Sequence, residues 1–249
     1  MIKDNEIALI ADYFGKNIQT IQPLGDGYYY NHLSLCVIEA VWSIGVRFAS
    51  VLKVIKNYCD KKDIIPYREN YLRERSLLPE KAQQIDTISS FLDYAENFTS
   101  DEQLANELFK KRQRTSSRNG ILKAKAVFDF AKVLKKYHVE YFQDIVHVEN
   151  NLSFEKDIKN IPGQKSGISL DYFFMLAGDE NRIKSDRMIK RFLATAIKRS
   201  PDTISNSDAQ NIMEQLLKKI NDNRIKSVRH LDNLIWEYES KKGKKDASN

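Results

Sequence analysis

The chain has 249 residues, of which 42% are hydrophobic and 30% charged, and carries a net charge of +6. This composition is ordinary for a globular protein with apolar material for one core or two, and the positive balance permits an acidic partner such as nucleic acid. Two cysteines, Cys36 and Cys59, exclude a disulfide framework and a four-cysteine metal site.

Met1 to Asn17 is charged throughout and lacks the apolar segment of a signal peptide. No apolar run reaches the roughly 18 residues that a membrane span requires. The expectation is an intracellular, cytoplasmic protein without a membrane partner.

In chain order, Asn5 to Gly15 predicts a short amphipathic helix with Ile7, Ile10 and Phe14 on one face and Gly15 at its end. Asn17 to Asn31 is irregular and contains Tyr28, Tyr29 and Tyr30, which either pack between layers or offer a stacking surface for bases. From Leu33 to Ile44 the pattern is apolar over most of a helix circumference, so this helix should be central. A second helix runs from Phe48 to Tyr58. Trp42, near the end of the first, is either a core side chain or the wall of a base pocket.

Tyr58 to Pro79 reads as a connector with one short helix. Asp86 to Asn97 and Asp101 to Lys110 read as two further helices, the second beginning at a cap around Asp101. Lys110 to Gly120 is the densest basic run before the tail, with Lys110, Lys111, Arg112, Arg114 and Arg118 among short hydroxyl and amide groups. Such a run suits phosphate contacts, and equally a solvated loop. A helix with Val127, Phe130, Ala131 and Leu134 follows.

Ile161 to Leu193 reads as a turn, a buried helix, a short loop and a second helix. Pro162 and Gly163 break any preceding helix. Ser166 is the expected N-cap for the run Ile168, Tyr172, Met175 and Leu176, and Gly178 its stop. Ser185 is the expected cap of the second helix, with Asp186 in its first turn. Amides around Gly163 to Ser166 would point outward together and suit an anion such as phosphate. Beyond Ser200 and Pro201, helices are predicted over Ser207 to Ile220 and from about Ser227 to Ser240. The tail from Lys241 to Lys245 is predicted to be disordered. Hardly any strand signal is present, so the fold class is all-α. The histidines, His32, His138, His147 and His230, show no metal-ligand spacing.

The stretch from Ile161 to Leu193 resembles the helix-hairpin-helix DNA glycosylase superfamily, which includes endonuclease III and the alkylbase glycosylases. Ile161-Pro162-Gly163 matches the start of the hairpin, Asp186 the catalytic carboxylate, and Arg191 an arginine five residues beyond it. Gly120 and Lys123-Ala124 match the approach to the last barrel helix, which extends the resemblance over most of Leu33 to Leu193. Departures are also visible. Lys165 stands where the hairpin carries its second glycine, and Gly167 where the strand-cutting branch carries its lysine. Ser43-Ile44-Gly45 lacks the glutamines of the helix-end motif.

The resemblance implies two helical lobes with the hairpin at their junction. A barrel-like domain would span 30–148, and a second domain 1–29 with 149–249, holding the hairpin (161–178) and the Asp186 helix. It implies hydrolysis of the N-glycosidic bond of a damaged or modified base flipped out of DNA, without lyase activity. Asp186 would be catalytic. Gly163, Gln164, Lys165, Ser166, Gly167 and Arg187 would contact DNA, with Trp42 and Tyr30 at a base pocket. The partner would be double-stranded DNA. No cofactor is implied: two cysteines cannot hold an iron-sulfur cluster, and only a monovalent cation at the hairpin stays open. Two alternatives remain, a noncatalytic hairpin protein that binds DNA, and a helical module for another protein whose basic face is incidental.

Overall fold

Long amphipathic runs separated by capping residues fold into helices, and a computed structural model describes residues 4–246 of them. Twelve α-helices follow in order: α1 Asp4–Asn17, α2 Leu33–Trp42, α3 Phe48–Lys62, α4 Asn70–Glu74, α5 Ile88–Ala95, α6 Asp101–Gln103, α7 Lys123–Lys136, α8 Leu152–Asn160, α9 Ile168–Ala177, α10 Arg187–Ala196, α11 Asn206–Ile220 and α12 Val228–Asp246. A π-turn, Leu104–Leu108, continues α6, and short 3-10 turns fill several connections. The fold is all-α. Among the described residues no strand forms, only two isolated bridges, Tyr30 with Tyr67 and Arg114 with Leu122.

The chain divides into two compact units, Gly25–Gly178 and Met1–Leu24 with Asp179–Asn249. The hairpin segment 161–178 therefore belongs to the larger unit, not to the second domain as the sequence reading placed it. The reason is α9, whose Leu170, Phe173, Phe174 and Leu176 are buried in the larger core and which packs on α2.

In the larger unit all ten residues of α2 are buried, and the helix packs against α3, α7 and α9. A helix without a solvent face must find protein partners for its polar groups. Lys123, at the start of α7, closes its C-terminal end by donating from Nζ to the carbonyls of Val41 (3.3 Å), Trp42 (2.9 Å) and Ile44 (2.5 Å). Cations suit this end because the last carbonyls carry partial negative charge. Ser34 donates to Asp86, which also accepts from Tyr58 (2.6 Å) and pairs with Lys62 (3.0 Å). The connector after α3 is tied back by Arg68, which donates to the Tyr30 carbonyl (2.9 Å) and the Leu77 carbonyl (3.0 Å).

In the smaller unit, α1, α10, α11 and α12 surround a core that includes Phe14, Phe192, Met213 and Leu231. Three helix ends differ from expectation. α1 runs through Gly15 to Asn17, because Ile18 continues the stripe of Ile7, Ile10 and Phe14 and stays buried. α3 continues beyond Tyr58 to Lys62 and closes in a left-handed residue, Asp63. α12 continues through the lysine-rich tail to Asp246 instead of ending near Ser240. Lysine and glutamate are good helix formers, and Glu237 pairs with Lys241 one turn on (3.5 Å).

Replacing Lys123 by Met keeps the buried stem and removes the donor to three carbonyls. The expected loss is about 2 kcal/mol, within the range for hydrogen bonds to a charged group. Denaturant unfolding checks it: the midpoint should fall with an unchanged slope.

Candidate functional site

The hairpin lies between α8 and α9. Asn151 opens α8 by accepting from Ser153 N and Phe154 N, both at 3.1 Å. At its far end the chain turns twice: Gln164 N donates to Ile161 O (2.9 Å) and Gly167 N to Gln164 O (3.0 Å). Both turns need left-handed backbone, supplied by Gly163 (φ +90°) and Gly167 (φ +76°). Gly167 is itself the N-cap of α9, which corrects the assignment to Ser166; Ser166 Oγ lies 3.5 Å from Ile168 N.

Of the hairpin residues assigned to DNA, Gly163, Lys165 and Ser166 are exposed, whereas Gln164 and Gly167 are buried. Gln164 is 2% exposed and its side-chain oxygen accepts from Ser169 Oγ at the start of α9. Its role is to brace the turn from inside. It has no outward amide to offer a phosphate.

The basic run packs onto this turn. Thr115 N donates to Ile121 O (2.9 Å) and Lys123 N to Gln113 O (2.8 Å), and Arg114 donates to the Gly120 carbonyl (2.8 Å). These bonds fold residues 113–123 into a narrow loop. Thr115 stands against Gly163, where an added Cβ would come within 2.3 Å of its own Cβ. The loop and the hairpin thus form one continuous surface of the larger unit, carrying exposed Arg112, Arg114, Arg118 and Lys165. The run is a folded loop whose basic side chains stay exposed, as both readings of it require.

In the smaller unit Asp186, not Ser185, caps α10. Its Oδ1 accepts from Met188 N (2.7 Å) and Ile189 N (3.4 Å). Ser185 is unavailable because it is buried and donates to Asn206 O (3.3 Å). Asp186 is half-buried and Arg187 exposed. Behind them lies Asp232 of α12, 2% exposed, whose Oδ1 accepts from Lys184 N (3.1 Å). Burial, and then the charge of Asp186, push the Asp232 carboxyl well above the usual carboxylate range; the Lys184 amide and charge oppose this more weakly. Both effects act against the ionised form of Asp232. Arg191 pairs with buried Glu239 of α12, as expected of a partner within a helix pair.

The two residues assigned to a base pocket line no opening in the larger unit. Tyr30 and Trp42 are both 0% exposed. Tyr30 stacks on Tyr67, with ring centroids 5.5 Å apart, and donates its hydroxyl to Glu39. Tyr172 of α9 donates to the other oxygen of the same carboxylate. Burial, followed by the charge of Glu39, raises both phenols well above their ordinary value. Trp42 packs against Phe109 with centroids 5.7 Å apart. For both the sequence left a core reading open beside the base pocket, and their burial, Tyr30 against Glu39 of α2 and Trp42 within α2, accords with the core reading.

Glu39 and Asp232 were missed as buried carboxylates, although the sequence carries a signal for each. Glu39 lies between Leu35 and Trp42 on a helix otherwise apolar all round, and Asp232 lies between Val228 and Ile235 on the apolar stripe of α12. A carboxylate at such a position requires internal partners. Among the described residues no three His, Cys, Asp or Glu side chains converge as a metal site, and no helix is long and apolar enough to cross a membrane.

The family described as a domain of unknown function (DUF8548) matches residues 8–240. No curated protein and no solved structure matches the chain.

Gly163→Ala meets two obstacles, a left-handed backbone and a clash with Thr115. Together they should cost about 2 kcal/mol or more. The double variant Gly163→Ala, Thr115→Gly relieves only the clash. Thermal unfolding of both should show partial recovery in the double variant, and none if the contact with Thr115 carries no strain.

Proposed function

The chain belongs to the DUF8548 family, whose match takes in both the hairpin and Asp186, and we propose, on the geometry of the hairpin, that it is a DNA N-glycosylase without lyase activity. The observation that carries this reading is the hairpin: two left-handed glycines between α8 and α9, exposed Lys165 and Ser166, and the folded basic loop seated on Gly163. Exposed cations beside a tight glycine turn suit a phosphodiester backbone. A net charge of +6 gives the long-range attraction.

In this reading the target nucleotide leaves the stack, because its bond to the sugar is otherwise inaccessible. As the bond to the base stretches, positive charge develops on the deoxyribose. The Asp186 carboxylate stabilises that charge and orients the attacking water. Water adds at the anomeric carbon, the base leaves with the bonding electrons and takes up a proton, and an abasic site remains. Gly167 at the position of the family's lysine supplies no amine for strand cleavage. The substrate class is a damaged or modified base in duplex DNA.

A second reading, a noncatalytic DNA-binding protein, is favoured by one observation. Asp186 Oδ1 already accepts two amides of α10, and capping alone accounts for that.

The test is base release from duplexes carrying a panel of damaged and modified bases, with abasic sites revealed by alkali. Wild type should release a base, and Asp186→Asn should lose about 100-fold or more in turnover with DNA binding unchanged. Asparagine still caps a helix, so the variant should melt within about 0.5 kcal/mol of wild type, whereas Asp186→Ala should lose about 1 kcal/mol. Equal turnover by Asp186→Asn would reduce Asp186 to a cap. Salt-sensitive binding without release would favour the noncatalytic reading.

A further inference from the structure

We propose that Asp232, on α12, is a positioning residue for Asp186, holding from the core of the smaller unit the backbone that presents it. This rests on the catalytic reading of Asp186. The geometry is local. Asp232 Oδ1 accepts from Lys184 N at 3.1 Å, two residues ahead of Asp186. Ile183 N, one residue earlier, donates to Gln210 of α11 (3.1 Å), and Ser185 donates to the Asn206 carbonyl (3.3 Å). Three consecutive residues before Asp186 are thus each tied to a different anchor. Of these anchors only Asp232 is an ionisable side chain.

A buried carboxylate beside Asp186 would repel it and strain the cap. A neutral carboxyl accepts the Lys184 amide without that repulsion, and burial of Asp232 favours this form. Asp186 and Lys184 are the charged groups that act on it. The surrounding charges are engaged elsewhere: Arg229 with Glu180 and Arg191 with Glu239 around α12, Asp208 with Ser205 and Glu214 with Gln210 on α11, and Glu6 of α1 with Arg199.

The sign of the pH dependence follows. An aspartate of the unfolded chain ionises near pH 4. A carboxyl kept protonated in the fold therefore destabilises it increasingly as pH rises above about 4, until the folded carboxyl itself ionises. Asp232→Asn keeps the acceptor for Lys184 and removes the titration.

Three forms, wild type, Asp232→Asn and Asp232→Ala, would be compared by amide hydrogen exchange and by thermal unfolding across pH, without DNA. Asp232→Asn should keep the protection of Met188 and Ile189, and its melting margin over wild type should widen as pH rises from about 4. Asp232→Ala should exchange those amides about tenfold faster, because the cap loses its anchor. Unchanged protection in Asp232→Ala, or a margin constant with pH, would overturn the proposal. Should Asp232→Ala not fold, the Asp232→Asn margin decides alone. On a released base, Asp232→Asn should turn over as wild type, and Asp232→Ala with lower kcat at unchanged KM. Absence of release by every form would refute the glycosylase reading, while exchange and melting would still decide whether Asp232 positions Asp186.

Discussion

The burial of α2 on every side is the constraint from which the larger unit follows. An exposed helix leaves its terminal carbonyls and polar side chains to water, but α2 cannot. Lys123 must reach its C-terminal carbonyls, Tyr30 and Tyr172 must share Glu39, and Asp86 must meet Ser34. These partners lie on α7, on α9, just before α2 (Tyr30) and just before α5 (Asp86). Satisfying one helix therefore fixes the start of α7, which closes the basic loop, and the face of α9, which follows the hairpin. The surface that carries Arg112, Arg118 and Lys165 is a consequence of how a core helix is satisfied.

Carboxylates play three different parts according to what surrounds them. Glu39 accepts from two phenols and ties α2 to α9. Asp86 accepts from a hydroxyl and a phenol and faces an ammonium, and its charge adds to burial in pushing Cys59 up to about 12. That thiol is a packing group, not a nucleophile. Asp232 meets one amide, the like charge of Asp186 and, more weakly, the opposite charge of Lys184, and burial raises its carboxyl well above the usual range. Asp186 is a half-exposed carboxylate at a helix N-terminus, as Asp101, Glu155 and Asp208 also are, and the cap bonds to Met188 N and Ile189 N are what its geometry shows.

The helices were legible because apolar spacing along a helix is a local property. Ser205 caps α11 and Asn151 caps α8 through bonds that span only two or three residues. Two caps were placed one residue early. Ser185 and Asp186 were separated by a bond from Ser185 to Asn206, 21 residues away, and Ser166 yielded to Gly167 because only glycine takes the left-handed turn without cost. The apolar character of α9 was visible, but not which unit would bury it, so the domain boundary fell in the wrong place. Long-range polar pairs were least visible. Lys123 and Val41 are 82 residues apart, and a lysine after a basic run gives no hint that it points inward.

Gly167 joins these threads in one position. Its backbone lies at φ +76°, and an added Cβ would meet Lys159 Cε at 3.1 Å. A lysine there would need both a strained backbone and a displaced neighbour, and it would unsettle the turn that Gln164 braces from inside through Ser169. The hairpin is thus built around the absence of a side chain at Gly167. Lys165, two residues earlier, is exposed, on the surface shared with the basic loop. Lysine keeps the backbone N–H that a glycine would offer and adds an ammonium to that surface. The turn therefore leaves its one lysine outside and admits no side chain at Gly167.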